Sequence, residues 1–216
     1  MIALPPLYPI LDTGALEGRS LTLVETAAAM LEGGARILQI RHKRLWRPAV
    51  YEAAREAASL CRQAGAILIV NDRADFATLL GAGLHLGRDD LAPRDARALL
   101  GDGPVIGYSS HNVSQLRDAA SEPVDYVALG PIFSTASKSN PDPVVGIDEL
   151  RRCRALTQKP LVAIGGITCE NARAVFDAGA DSAAVIADLL PPGATAPEVR
   201  RRVEDWLSIA RANAPQ

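Results

Sequence analysis

The chain has 216 residues, a length that suits one domain, and 48% of them are hydrophobic, enough for a large buried core. A formal net charge of -2 with no basic excess sets nucleic acid aside as a partner, and no apolar run is long enough to cross a bilayer. The cysteines Cys61, Cys153 and Cys169 are odd in number and lack CxxC spacing, which argues against a disulfide framework or a zinc site and for a reducing, cytoplasmic location.

The first residues, Met1 to Pro6, carry no positive charge and meet proline at once, so no signal peptide is expected. From there, short apolar runs alternate with helical patterns. The expected strands are Leu7–Leu11, Ile37–Ile40, Ile67–Val70, Leu84–Leu86, Val105–Tyr108, Tyr126–Leu129, Leu161–Ile164 and Ala183–Ile186. They are continuous runs, as in parallel strands covered on both faces. Helical segments such as Thr22–Leu31, Pro48–Gln63 and Asn171–Asp177 lie between them. Gly33-Gly34-Ala35, Gly65-Ala66, Gly81-Ala82-Gly83 and Gly179-Ala180 each stand between a helix and the next strand, where a left-handed residue ends a helix. Pro48 and Pro93 sit near helix starts, where a missing N–H is harmless.

Eight such units predict a single (β/α)8 barrel over residues 1–216. The rival, an open doubly wound sheet, lacks its nucleotide fingerprint, because Leu11 is followed by Asp12-Thr13-Gly14-Ala15. Residues 130–145 form one long irregular connection and are the candidate lid.

A barrel carries its active site at the C-terminal ends of its strands, and the polar residues of this chain collect there. Gln39, Arg41 and Lys43 alternate after strand two and face one way; two cations in a barrel mouth need an anion such as a diphosphate, the alternative being that Arg41 and Lys43 are solvated or pair with carboxylates across the barrel. His42 lies between them and faces the other way. Asp72 and Asp90 follow neighbouring strands and make a hard oxygen site suited to Mg²⁺, the alternative being caps of a helix or a turn. Thr135, Ser137 and Lys138 after strand six suit a phosphate or a carboxylate, or else belong to a solvated surface loop. Gly165-Gly166 lets backbone N–H groups approach an anion, or simply makes a tight turn. His85 is read as a hydrogen-bonding group of the barrel wall and His111 as an orienting group for Ser109-Ser110; no nucleophile–base pair is evident.

These pieces, taken in order, resemble the thiamine-phosphate synthase family, from Pro6 to about Leu190. The resemblance is carried by Leu7-Tyr8-Pro9-Ile10-Leu11-Asp12, Gln39-Ile40-Arg41-His42-Lys43, Asn71-Asp72-Arg73-Ala74-Asp75, Gly83-Leu84-His85-Leu86-Gly87 with Asp90, Ile106 to His111, Gly130 to Lys138 and Ala163 to Ile167. It implies a transferase that couples an aminomethylpyrimidine diphosphate to a thiazole phosphate, which in carboxylated form also loses carbon dioxide. Diphosphate leaves first and the thiazole nitrogen captures a pyrimidine carbocation, with Mg²⁺ as cofactor. Carried over by position, Gln39, Ile40, Arg41, His42, Lys43, Asn71, Ser109 and Lys138 contact the pyrimidine diphosphate, Ser109 and Lys138 being closest to the chemistry. Thr135, Ala136, Ser137, Gly165, Gly166, Ile186 and Ala187 contact the thiazole phosphate, and Asp72 and Asp90 hold the metal.

Three positions depart from the family pattern: Arg88 stands where glutamine is common, Ser137 replaces a second threonine, and Ala187 stands where serine is common. The expected partners are small molecules, with neither nucleic acid nor membrane, and a homo-oligomer stays open. A tautomerase branch of the same family is the nearest alternative, but it tends to lack the metal carboxylates and carries a histidine in the strand-six loop, where this chain has Pro131. A sugar-phosphate epimerase would want opposed acid/base carboxylates and a histidine-based metal site. A catalytically silent sensor of thiamine precursors is the alternative outside enzymology.

Overall fold

The computed structural model describes residues 2–135 and 142–212. Eight parallel strands close a barrel in the order of the chain: β1 (Leu7–Asp12), β2 (Ile37–Arg41), β3 (Ile67–Asn71), β4 (Gly83–Leu86), β5 (Ile106–Ser110), β6 (Tyr126–Leu129), β7 (Leu161–Ile164) and β8 (Ser182–Val185). Closure is made by β1 on β8, with Leu7 opposite Ala183. The helices around it are α1 (Thr13–Glu17), α2 (Leu23–Glu32), α3 (Pro48–Gln63), α4 (Ala74–Leu80), α5 (Pro93–Leu100), α6 (Val113–Ser121), α7 (Ile147–Arg154), α8 (Ala172–Asp177) and α9 (Ala196–Ala212). α9 packs on α2 and α8 and closes the outer ring.

Local chemistry sets the element ends. Thr22 caps α2 by accepting from the Glu25 amide at 3.2 Å, while its hydroxyl donates to the Glu25 carboxylate at 2.8 Å. Pro48 and Pro93 occupy the first turns of α3 and α5. Gly34, Gly65, Gly81 and Gly179 all have positive φ, as expected of helix-to-strand joints.

Only β6 and β7 keep both expected bounds; β1, β2 and β3 run one residue further, β4 starts one residue earlier, and β5 and β8 are shifted. β5 runs on through Ser109 and Ser110 because they continue the ladder opposite Ala128 and Leu129 of β6. β8 stops at Val185, and Ile186 instead leads a short 3-10 turn over Ala187–Leu189.

Alternation along the strands makes two apolar layers. Leu38, Ile40, Val70, Leu84 and Val127 point outward into the layer shared with the helices. Tyr8, Ile10, Ile37, Ile69, Tyr126, Ala128, Val162 and Ala184 fill the interior. Tyr126 can lie across the barrel only because β5 has glycine at 107: a Cβ there would fall inside the Tyr126 ring. Gly107→Ala is expected to lower stability by about 3 kcal/mol through overpacking, read as a lower urea midpoint at unchanged slope.

Candidate active site

The barrel opens at the C-terminal ends of its strands into a cavity of about 870 Å³. Its lining includes Gln39, Arg41, Lys43, Asn71, Asp72, Asp90 and Ser109 on the β2–β5 side. Thr135, Gly165, Gly166, Ile186 and Ala187 line the β6–β8 side. The strand-end residues singled out in the sequence therefore meet in one space. Lys138, Ala136 and Ser137 lie outside the described residues.

The cations are paired. The Arg41 guanidinium donates to the Asp12 carboxylate, directly opposite it in the β1–β2 register. Lys43 Nζ donates to Asp72 at 2.5 Å. Both side chains pair with carboxylates in the free protein, but with ones on the neighbouring strand or at its end rather than across the barrel, and both still face the cavity. Asp12 also caps α1 by accepting from the Ala15 amide at 2.9 Å.

Asp72 does not cap the helix that follows. Arg73 holds that position, with no side-chain cap bond. Asp72 instead has φ 65, a left-handed backbone uncommon outside glycine, and its amide donates to the His85 carbonyl at 2.8 Å. Asp90 accepts from the Gly87 amide at 2.6 Å, so it does close a turn, as its alternative reading held. Burial raises the Asp90 carboxyl above its ordinary range; the Gly87 N–H opposes this, and the neighbouring Asp72 carboxyl adds to it. A carboxyl whose ionisation is hindered by burial and by a neighbouring carboxyl suits a hard divalent cation. Among the described residues no group of three or more histidine, cysteine, aspartate or glutamate side chains forms a protein-only metal cage. A magnesium ion bound by one or two carboxylates, waters and phosphate oxygens fits this donor set. Asn71 carries a further unmet need: it is buried and its Nδ2 has no hydrogen-bond partner.

Ile40 and His42 are not brought into the cavity. Ile40 is fully buried in the outer layer. His42 hydrogen-bonds Thr13 Oγ1 at 2.8 Å and packs edge-on against Trp46. Strand alternation turns both side chains away, so these two expected contacts reduce to backbone groups.

On the opposite side, Gly165 and Gly166 have φ 99 and 63. A Cβ on Gly165 would lie 2.5 Å from Pro131 Cβ, and one on Gly166 would lie 2.8 Å from Phe133 Cβ. Both glycines are thus needed for the β6 loop to pack over the β7 loop, quite apart from any anion. The Phe133 amide donates to the Gly165 carbonyl at 3.0 Å.

A family model described as thiamine monophosphate synthase matches residues 7–189. The chain belongs to the thiamine monophosphate synthase family. A thiamine-phosphate synthase from Koribacter versatilis is 47% identical over 96% of this chain and 97% of its own. One from Methanoculleus marisnigri is 43% identical over 95% and 97%. The solved thiamine phosphate pyrophosphorylase from Pyrococcus furiosus superposes with a TM-score of 0.84 at 31% identity, covering 97% of this chain and 96% of that one.

Other lining residues of this family member escaped the sequence reading or were given other partners by it. His111 is tied to the β6 loop, through the Gly130 carbonyl at 2.6 Å, rather than to the serines. Asp188 accepts from Cys169 N, Arg202 and Trp206 Nε1, and so anchors the β8 loop to α9. Beneath the cavity a line of hydrogen bonds crosses the barrel. Gln39 Nε2 donates to Tyr8 Oη at 3.0 Å, Tyr8 Oη meets Tyr126 Oη at 2.9 Å, Tyr126 Oη meets His85 Nδ1 at 2.9 Å, and His85 Nε2 meets Ser109 Oγ at 2.9 Å. Burial raises both tyrosine hydroxyls and pushes the His85 imidazole down to about 4. His85 was expected in the wall; its tyrosine partners carried only a weak signal, a polar tip inside otherwise aliphatic strands.

Proposed function

We propose that this barrel makes thiamine phosphate, as the family does, by a magnesium-dependent dissociative substitution at the cavity mouth. The observation that carries the reading is the meeting of a cation-and-carboxylate half on β2–β5 with a glycine-and-backbone half on β7–β8. Arg41, Lys43 and Lys138 take the diphosphate of the pyrimidine substrate, Arg41 and Lys43 exchanging carboxylate partners for phosphate oxygens. Asp72 and Asp90 hold Mg²⁺, which supplies charge neutralisation to the leaving diphosphate.

Asn71 offers its free Nδ2–H to the pyrimidine substrate, and Gln39 contacts the same substrate from the barrel floor. The bond between the pyrimidine methylene carbon and its bridging oxygen breaks, and the electron pair leaves with the diphosphate. Thiazole nitrogen then gives its lone pair to the carbocation, forming the new C–N bond. Thr135, Ala136 and Ser137, with the backbone of Gly165, Gly166, Ile186 and Ala187, hold the thiazole phosphate. Positioning and charge stabilisation carry the rate, and no general base is required.

Asp72, Asp90 and Pro131 favour coupling over tautomerisation. Among the described residues no helix is long and apolar enough to cross a membrane. The test is to mix the chain with Mg²⁺, the pyrimidine diphosphate and the thiazole phosphate and to measure thiamine phosphate and diphosphate. Absence of product at high enzyme concentration overturns the synthase reading, and tight binding without turnover would favour the sensor.

A further inference from the structure

The hydrogen-bond line under the cavity has a direction. Each of its links holds one proton, and its Gln39 end is an amide N–H that only donates. Tyr8 Oη accepts there, and its own proton can go only to its other partner, Tyr126 Oη. Tyr126 Oη has then accepted one proton, and its own must go to His85 Nδ1. A ring nitrogen that accepts a hydrogen bond carries no hydrogen, so the one proton of the neutral imidazole is on Nε2, where it points at Ser109 Oγ. Ser109 Oγ therefore accepts from His85, and its hydroxyl hydrogen is left for the cavity that Ser109 lines.

We propose that Tyr8, Tyr126 and His85 are positioning residues that fix Ser109 as a hydrogen-bond donor to the substrate, and bar it from acting as a base. The inference rests on the synthase reading for the identity of the substrate, but not for the direction of the line. Its use lies in the proposed chemistry. A leaving diphosphate gains negative charge as the C–O bond breaks, so a preoriented O–H donor nearby stabilises the transition state more than the ground state. A serine free to turn its proton toward His85 would present lone pairs to that growing charge. Residues on five strands share the line: Gln39 on β2, Tyr8 on β1, Tyr126 on β6, His85 on β4 and Ser109 on β5. All but Ser109 are buried.

The closing experiment has two arms. The first needs no substrate. The chain has three histidines, so long-range proton–nitrogen NMR of ¹⁵N-histidine-labelled full chain can be assigned, with His85→Gln identifying its signals. The expected result is a neutral His85 ring with hydrogen on Nε2 in the wild type. Tyr126→Phe or Tyr8→Phe should shift it toward a mixture of tautomers, the second variant serving if the first does not fold. Hydrogen on Nδ1 in the wild type means that the Gln39 amide points the other way and the line runs backwards, which overturns the proposal.

The second arm is kinetic. Tyr126→Phe should lower kcat about tenfold, roughly one neutral hydrogen bond, with KM for the pyrimidine diphosphate little changed. In a Ser109→Ala background it should have no further effect, because the group it orients is gone. Full additivity of the two substitutions sinks the positioning role, even if the protein makes thiamine phosphate. An inactive wild type that still shows the Nε2–H ring overturns the synthase reading alone.

Discussion

Asp72→Asn should cut magnesium-dependent formation of thiamine phosphate by about 10³-fold while leaving the barrel folded. Asparagine is the informative replacement because the backbone at 72 has φ 65. Asparagine tolerates that conformation, whereas alanine adds a strain cost of about 1 kcal/mol and confuses a loss of metal with a loss of fold. The substitution removes the negative charge that makes the Asp72–Asp90 pair attractive to a divalent cation and leaves Lys43 without its carboxylate.

The pH dependence of stability gives an independent reading. Burial and the Asp72 carboxyl hold Asp90 above its ordinary value of 3.8. A carboxyl whose folded pKa is raised adds stability below its unfolded pKa, and that stability is lost as pH rises through the folded value. Without magnesium, the wild-type Tm should therefore fall as pH rises from the ordinary carboxylate range through the elevated one. Asp72→Asn should flatten that fall, because only the burial part of the shift remains. Added magnesium should raise the wild-type Tm above this window and leave the variant unmoved. Full activity in Asp72→Asn, or an equal Tm gain with magnesium, would refute the metal assignment.

Much of this site was legible because barrels confine chemistry to strand ends. Once Ile37–Ile40 and Ile67–Val70 read as strands, Arg41, Lys43 and Asp72 had to stand at one rim. Alternation likewise places His42 outside, and the structure packs it on Trp46. What could not be read were contacts that depend on strand register and closure. Arg41 meets Asp12 only because β1 and β2 pair in that register, and Tyr8 meets Tyr126 only across a closed barrel, 118 residues apart in sequence. The strand ends of β5 and β8 were also set by neighbours. Ser109 and Ser110 look like loop residues by composition, yet β6 supplies ladder partners for both. Gly165-Gly166 suggested an anion site; the crowding of Pro131 and Phe133 gives those glycines a packing reason as well.

Asp188→Ala should cost about 2–3 kcal/mol and weaken binding of the phosphate-bearing thiazole more than that of the diphosphate substrate. Asp188 is nearly buried, and its carboxylate accepts from Trp206 Nε1 at 2.7 Å, from Arg202 at 2.7 Å and from Cys169 N at 3.1 Å. Trp206 is fully buried, so its indole N–H would lose its acceptor without gaining water. Arg202 is partly exposed and can rehydrate, which keeps the loss below the ~3–5 kcal/mol of a fully buried pair broken on one side. The three donors come from α9 and the β7 loop, so one carboxylate ties both to the turn after β8. That turn presents Ile186 and Ala187 to the cavity. Because Ala187 has no side-chain hydroxyl to offer a phosphate, the proposed phosphate half-site would depend on where its backbone N–H groups are held. Urea unfolding and separate KM values for the two substrates test this. A stability loss with both KM values unchanged would confine Asp188 to fastening α9, whereas a selective rise in the thiazole phosphate KM would tie the strength of that half-site to a residue that contacts helix and loop.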